Sequence, residues 1–367
     1  MISARELIKG FIEQKLPFAL YRLPENNTIN LVAQLSDANT SVDNNFDFTA
    51  EYGFVLSPFV KGKYSTQFIK AEKQYTFQHL EEIIENSYIE TTKNVSSAAS
   101  STYIATSKEK YIENVIESIE SIKSGNIEKV VISGVTIKEV NKDFDLLNYF
   151  EKLCSQYPYV LVYLLHTTET GFWMGATPEL LLQFSSKQLQ TVSLAGTKSL
   201  RNNASDMPWQ QKEIDEQHLV TQHIQECFQQ HFNEPLEISE TKTISTGHLL
   251  HLRTDFKLQS QNGSLQKHYF SFLKALHPTP AVGGSPKEKA IAHILKTETH
   301  ERAYYTGYLG FINPQKVSNI FVNLRCLKYE SDKLILFTGA GITKDSTPEK
   351  EWEEIQLKAE TLLKVLE

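Results

Sequence analysis

Two acidic pairs carry the first chemical signal in the sequence. In KEIDEQHLV, Glu213 and Glu216 stand three residues apart, and in EKEWEEIQLK, Glu351 and Glu354 repeat that spacing. Both stretches read as helices, and residues at i and i+3 share a helix face. Two facing helices that each offer a carboxylate pair would make an oxygen-only site suited to a hard ion such as Mg²⁺. The same spacing also describes two solvated faces, a plainer reading that the off-face acids Asp215 and Glu353 favour.

Other residues are conspicuous by where they fall. Glu179 follows Pro178 at the start of the apolar run in GATPELLL; a carboxyl packed against that run would hold its proton and suit a general acid, whereas in a solvated turn it would not. Lys129 opens the run KVVIS, where burial would favour a neutral amine and a base, and an edge position would leave it in water. Arg325 interrupts the apolar stretch FVNLRCLKY, where an unpaired guanidinium is costly, so an anionic partner is expected. His251 in LLHLRT reads first as a hydrogen-bonded core histidine, and His277 as part of a turn set by Pro278 and Pro280. In TGAGIT, Gly339 and Gly341 offer half of a dinucleotide fingerprint; a backbone nest for a small carboxylate and a plain tight turn fit better.

The elements that must position these residues alternate between short strands and helices. Strands are expected at FALYRLP, TINLVAQL, GFVLSPFV, IEKVVISGVTI, VLVYLLH, LQTVSL, NIFVNLRCLKY and KLILFTGAGI, and on both sides of an Asn262-Gly263 hairpin turn. In the run from Lys129, Val131 and Ser133 share the lysine's face while Val130 and Ile132 take the other. Helices are expected near FQHLEEIIENS, from a Thr106/Glu109 capping box to Gly125, from Pro208 to about Gln230, from Pro286 to about Thr306, and from Pro348 onward. NVSSAASSTY, Asn94 to Tyr103, reads as a linker or exposed loop.

Composition narrows the class. The chain has 367 residues and a net charge of −7 without a basic block, which argues against nucleic acid but leaves room for a small anionic substrate. Cys154, Cys227 and Cys326 are sparse and unpatterned, as expected of reduced thiols in a cytoplasmic protein. No apolar run is long enough for a transmembrane helix and no signal-peptide core opens the chain, so no membrane association is expected.

Taken in order, IEKVVISG, GATPELLL, SLAGT, KEIDEQHLV, LHPTPAVGG, ERAYYTG, FVNLRCLKY and GAGITKDSTPEKEWEEIQLK resemble the chorismate-utilising enzymes. That family includes isochorismate synthase, anthranilate synthase component I, aminodeoxychorismate synthase and salicylate synthase. The likeness runs from about residue 105 to 367. It implies an α/β (α+β) fold with two large, mostly antiparallel sheets packed face to face between helical layers. Residues 1–104 would complete the fold and residues 105–367 would form the chorismate-binding region, together as one large globular unit. The resemblance makes Lys129 the base that activates water and Glu179 the acid that protonates the departing C4 hydroxyl. Glu216 and Glu354 become Mg²⁺ ligands, with Glu213 and Glu351 in support. Tyr305, Arg325 and the backbone at Gly341 would hold the enolpyruvyl carboxylate, and Lys358 would stand beside the ring carboxylate. Gly196, Thr197 and His251 would line the same pocket.

Within the family the sequence is most similar to isochorismate synthases serving menaquinone or catechol siderophore synthesis, with no obligatory protein partner. Ala195 stands where aminodeoxychorismate synthases carry a nucleophilic lysine, and Ala281 where anthranilate and salicylate synthases usually carry threonine. Salicylate synthase and a non-catalytic chorismate-binding subunit are the alternatives. Gly134 and Gln217 depart from the arginine and histidine usual at those places, which touches the support of the site rather than its reacting groups.

Overall fold

The β-branched runs find antiparallel partners, many of them far away in sequence. The computed structural model describes residues 1–36, 39–43, 46–47, 51–84, 102–199, 208–246, 249–260 and 264–366. One sheet of nine strands runs from edge to edge as Gly284–Ser285, Lys129–Glu139, Lys333–Ile342, Cys326–Glu330, Gly171–Thr177, Leu161–Thr167, Phe18–Arg22, Ile29–Ala33 and Lys73–Phe77. The second, of ten, runs as Leu236–Ile238, Leu249–Gln259, Gln188–Ser199, Leu180–Phe184, Ser318–Val322, Tyr308–Ile312, Gly53–Ser57, Thr66–Lys70 and Ser41–Val42, with Lys242–Thr246 also paired to Leu249–Gln259.

The two sheets pack against each other, and the pleat decides which residues meet. In Leu161–Thr167 the residues Leu161, Tyr163 and Leu165 face the second sheet, where they join Phe54, Leu56, Leu309 and Phe321 in one core. Val162 and Leu164 point the other way, into a helical layer. This is why the run VLVYLLH is apolar throughout rather than alternating: both of its faces are buried.

Helices α1 (Ala4–Gln14), α2 (Lys108–Lys123), α3 (Leu146–Gln156), α6 (Lys287–Thr297) and α7 (Pro348–Leu363) cover the nine-stranded sheet. Helices α4 (Gln211–His231) and α5 (Tyr269–Leu276) cover the other. The expected mixed architecture of two large antiparallel sheets between helical layers is therefore observed. Among the described residues no helix is long and apolar enough to cross a membrane. The three cysteines are unpaired.

Several local expectations are corrected. Residues 77–84 are not helical: the strand ends at Phe77, a turn follows, and Ile83–Ile84 pair with Ile2–Ser3. Sheet pairing there overrides an amphipathic pattern. Helix α2 is capped one residue later than the Thr106/Glu109 box, by Ser107 accepting from the Lys110 N–H at 3.2 Å, while Thr106 bonds to Val135 instead. Gly125, with φ 77°, follows the helix as expected. The helix expected to reach Thr306 ends at Thr297. Asn262-Gly263 and Asn94 to Ser101 lie outside the described residues, and the stretch from Ser264 is helical rather than a returning strand.

The correction that matters most concerns NIFVNLRCLKY. It is two strands in two different sheets, Ser318–Val322 in the ten-stranded and Cys326–Glu330 in the nine-stranded one. The chain crosses at residues 323–325, with Arg325 at φ 45°. GATPELLL crosses in the opposite sense, leaving one sheet at Thr177 and entering the other at Leu180. Pro178 has no N–H to continue the ladder, which favours the break there.

Candidate active site

The two crossings lie side by side. Val322 N–H donates to the Glu179 carbonyl at 2.9 Å, and Ala176 N–H to the Arg325 carbonyl at 3.1 Å. Thr177 Oγ1 adds a bond to the Val322 carbonyl at 2.5 Å. Glu179 and Arg325 both line a cavity of about 90 Å³, also lined by Gly196, Thr197, Glu216, His251, Tyr305, Gly341 and Lys358. Nine of the residues implied by the family resemblance thus share one wall system.

Glu179 is 3% exposed, so the reading that left it in a solvated turn does not hold. Burial raises its pKa to about 8, against the opposing pull of Lys129, Lys358 and Arg325. It is a protonated carboxyl at neutral pH among cations. Arg325 is also buried, and desolvation lowers its pKa to about 10, which leaves it charged. Its Nη2 donates to His251 Nε2 at 2.7 Å. On the other side of that ring, Nδ1 lies 2.8 Å from the Gly196 carbonyl. A carbonyl only accepts, so Nδ1 carries the proton and Nε2 is the acceptor. Burial, then the charge of Arg325, lowers the His251 pKa to about 3 and keeps the ring neutral. Gly196, at φ 68°, sits in a break of register between Ala195 and Lys198, which turns its carbonyl toward the histidine.

Lys129 does not reach the cavity wall. Its side chain is fully buried behind Glu216, with Nζ 2.8 Å from Glu216 Oε1. The alternation read from KVVIS holds: Val131 lines the cavity, while Val130 and Ile132 pack under the helices. Burial alone would raise the Glu216 pKa, but Lys129, Lys212 and Lys358 outweigh it and hold the group ionised.

Gly339 and Gly341 form neither a nest nor a turn. They lie within the strand Lys333–Ile342, opposite Ser133 and Val131. Their value is space: a Cβ on Gly341 would stand 2.5 Å from Glu216 Oε1 and 3.1 Å from Lys129 Cε, and one on Gly339 would stand 2.9 Å from Tyr305 Oη.

The remaining carboxylates flank the cavity. Glu354 pairs with Lys358 at 2.8 Å, and Lys358 Nζ also donates to the Gly339 carbonyl at 2.9 Å. Glu351, 2% exposed, pairs with Lys212 across the α4–α7 interface. Burial and the neighbouring Glu354 raise the Glu351 pKa, against Lys212. Glu213 accepts the Gln210 N–H at 3.0 Å and so caps α4.

Among the described residues no three acidic, histidine or cysteine side chains converge closely enough to hold a metal as they stand. The donor chemistry nevertheless suits a hard divalent ion. Glu351, Glu354 and Glu216 all favour the charge of one ammonium, Lys212, against its burial cost, so the cluster already holds a cation. Mg²⁺ commonly takes only one or two protein carboxylates and keeps waters or substrate oxygens for the rest.

Two supporting groups escaped the sequence reading. Arg302, buried and paired with Glu298 at 2.6 Å, donates to the carbonyls of Val131 (2.6 Å) and Val282 (2.9 Å), tying two cavity walls together. Lys212 precedes Glu216 by four residues, an i, i+4 spacing that was there to be read. The Gln217 departure has a local role: its Nε2 bonds Ser193 Oγ at 2.7 Å and Thr254 Oγ1 at 3.1 Å, tethering α4 to the sheet.

Buried cations around a protonated carboxyl, set where two sheets exchange strands, define a site for a small polyanion. Residues 54–367 match the chorismate binding enzyme family, and the chain belongs to it. It is 29% identical over 246 residues to isochorismate synthase EntC of Escherichia coli (strain K12), a match covering 65% of this chain and 62% of that one. The alignment thus spans less than two thirds of that relative. Its fold is similar to that of DhbC from Bacillus anthracis (TM-score 0.78, 22% identity, 99% of both chains). It is also similar to that of MenF, the menaquinone-specific isochorismate synthase from Escherichia coli (TM-score 0.77, 19% identity, 96% of this chain and 89% of that one).

Proposed function

We propose that the chain is an isochorismate synthase, an isomerase that adds water at C2 of chorismate and expels the C4 hydroxyl as water. The observation that carries this reading is Glu179, a carboxyl with a pKa of about 8 inside a cavity lined by Arg325 and Lys358. A neutral acid among fixed cations suits protonation of a leaving hydroxyl on a dianionic substrate. Lys129 is assigned the proton of the incoming water, a role that needs Glu216 to turn aside and the ammonium now paired with it to give up a proton first. As the C2–O bond forms, the ring double bonds shift and the C4–O bond breaks, with the Glu179 proton leaving on that oxygen. Arg325 and Tyr305 would hold the enolpyruvyl carboxylate, and Lys358 the ring carboxylate. Ala195 lines the cavity where a lysine nucleophile would otherwise compete with water.

Glu216 and Glu354 would hold Mg²⁺, with Glu351 in support; when bound, the ion would neutralise the ring carboxylate and draw electron density from the ring. The product would feed menaquinone or catechol siderophore synthesis, in a cytoplasm whose reducing conditions suit three free thiols. The test is incubation of the purified protein with chorismate and Mg²⁺, with and without ammonium, followed by product identification. Isochorismate without ammonium and without pyruvate supports the proposal. Salicylate with pyruvate, anthranilate only with ammonium, or stabilisation by chorismate without turnover would each overturn it.

A further inference from the structure

We propose that Lys212 is an internal counter-cation that holds the carboxylate cluster in its metal-free state and competes with the divalent ion for it. The inference rests on the proposed use of Glu216 and Glu354 as metal ligands. Three carboxylates, Glu216, Glu351 and Glu354, are matched by three ammonium groups, Lys129, Lys212 and Lys358, in separate ion pairs. A cluster neutralised in this way has little attraction for a further double charge. One lysine must withdraw before the carboxylates can turn to a metal.

The structure distinguishes which lysine is free to withdraw. Lys129 is sealed behind Glu216 with no exposed surface. Lys358 is anchored a second time, at the Gly339 carbonyl. Lys212 has a side chain 21% exposed, and among the described residues its hydrogen bond is to Glu351. It is the second residue of α4, where the helix dipole disfavours a positive charge. The carboxylates hold it there against both the dipole and a cost of burial. Once it swings into water, two ammonium groups face three carboxylates, and the cluster attracts a cation.

The test is calorimetric titration of MgCl₂ into the chelator-treated full chain without chorismate, comparing the wild type with Lys212→Met. The variant is expected to bind Mg²⁺ about tenfold tighter, because the competing charge is gone. Without metal its Tm should fall below that of the wild type, since Glu351 is left buried and unpaired, and saturating Mg²⁺ should close most of that gap. Lys212→Arg keeps the charge and should bind like the wild type. If the methionine variant does not fold without metal, Lys212→Gln gives the same comparison. Equal or weaker binding by the neutral variants, with the wild type binding Mg²⁺, would overturn the role of Lys212 alone. Absence of Mg²⁺ binding by every protein would overturn the metal reading and this inference with it.

Discussion

Glu179 and Arg325 are carried by one interlocked pair of strand crossings, the carbonyl of each bonded to the chain that carries the other. Acid and guanidinium are therefore placed by the backbone that joins the sheets, not by mobile loops. Anything that moves one crossing moves both.

The protonation of Glu179 has a sign that can be checked. Its folded pKa of about 8 lies above the ordinary 4.5, so its contribution to stability is fully present below pH 4.5 and is lost as pH rises through about 8. Turnover that needs the protonated acid should fall over the upper part of the same window. Glu179→Gln, neutral throughout, should abolish turnover and flatten this part of the pH dependence of Tm between pH 6 and pH 9. An unchanged slope in the variant would show that another group titrates there.

Lys129→Ala should lower turnover by about 10² to 10⁴, the usual range for a lost general base. It should also lower Tm, because Glu216 loses its nearest counter-ion. Steady-state rates with soluble, folded variant decide the matter, and turnover within about tenfold of wild type would remove the lysine from the base role.

Gly341→Ala should lower turnover and Tm together. The new Cβ would stand 2.5 Å from Glu216 Oε1 and 3.1 Å from Lys129 Cε, so it would part the buried ion pair. Lys129 would be left buried without its carboxylate, which is destabilising. An unchanged Tm with normal specific activity would contradict this geometry.

His251→Ala removes the acceptor at Arg325 Nη2. The guanidinium should lose its orientation, raising KM for chorismate more than it lowers kcat. In the wild type the ring should show no titration between pH 5 and 8 by NMR, since its pKa lies at about 3.

Glu354→Gln should weaken Mg²⁺ binding and raise the Mg²⁺ concentration needed for half-maximal rate. An unchanged Mg²⁺ titration would take Glu354 out of the ligand set.

How much of this was legible depends on whether the cause is local. The faces of Lys129, Val130 and Val131 follow from a period of two, and the sequence displays that period directly. The burial of Glu179 was legible as a carboxyl entering an apolar run. The crossing at Arg325 was not, because Val322 and Cys326 look alike in sequence although they serve different sheets. Helix α1 did carry a readable signal, Ser3 and Glu6 in a capping box, which its charged composition obscured. The segment at 77–84 misled because its strand partner, Ile2–Ser3, lies at the other end of the N-terminal third. Arg302 declares itself only through partners brought together by the fold; Lys212 stands i, i+4 from Glu216 in the sequence, but its pairing with Glu351 needs the fold.

The strand order also bears on how the molecule is made. Phe18–Arg22 pairs with Leu161–Thr167, and Gly53–Ser57 with Tyr308–Ile312. During synthesis the first strands leave the ribosome long before those partners exist, with apolar edges unsatisfied. Such non-local pairing slows folding, so the nascent chain spends a long interval as a substrate for chaperones and for aggregation. The two crossings that form the candidate cavity can close only after Ser318–Val322 and Cys326–Glu330 have emerged, making the proposed site one of the last parts of the protein to exist.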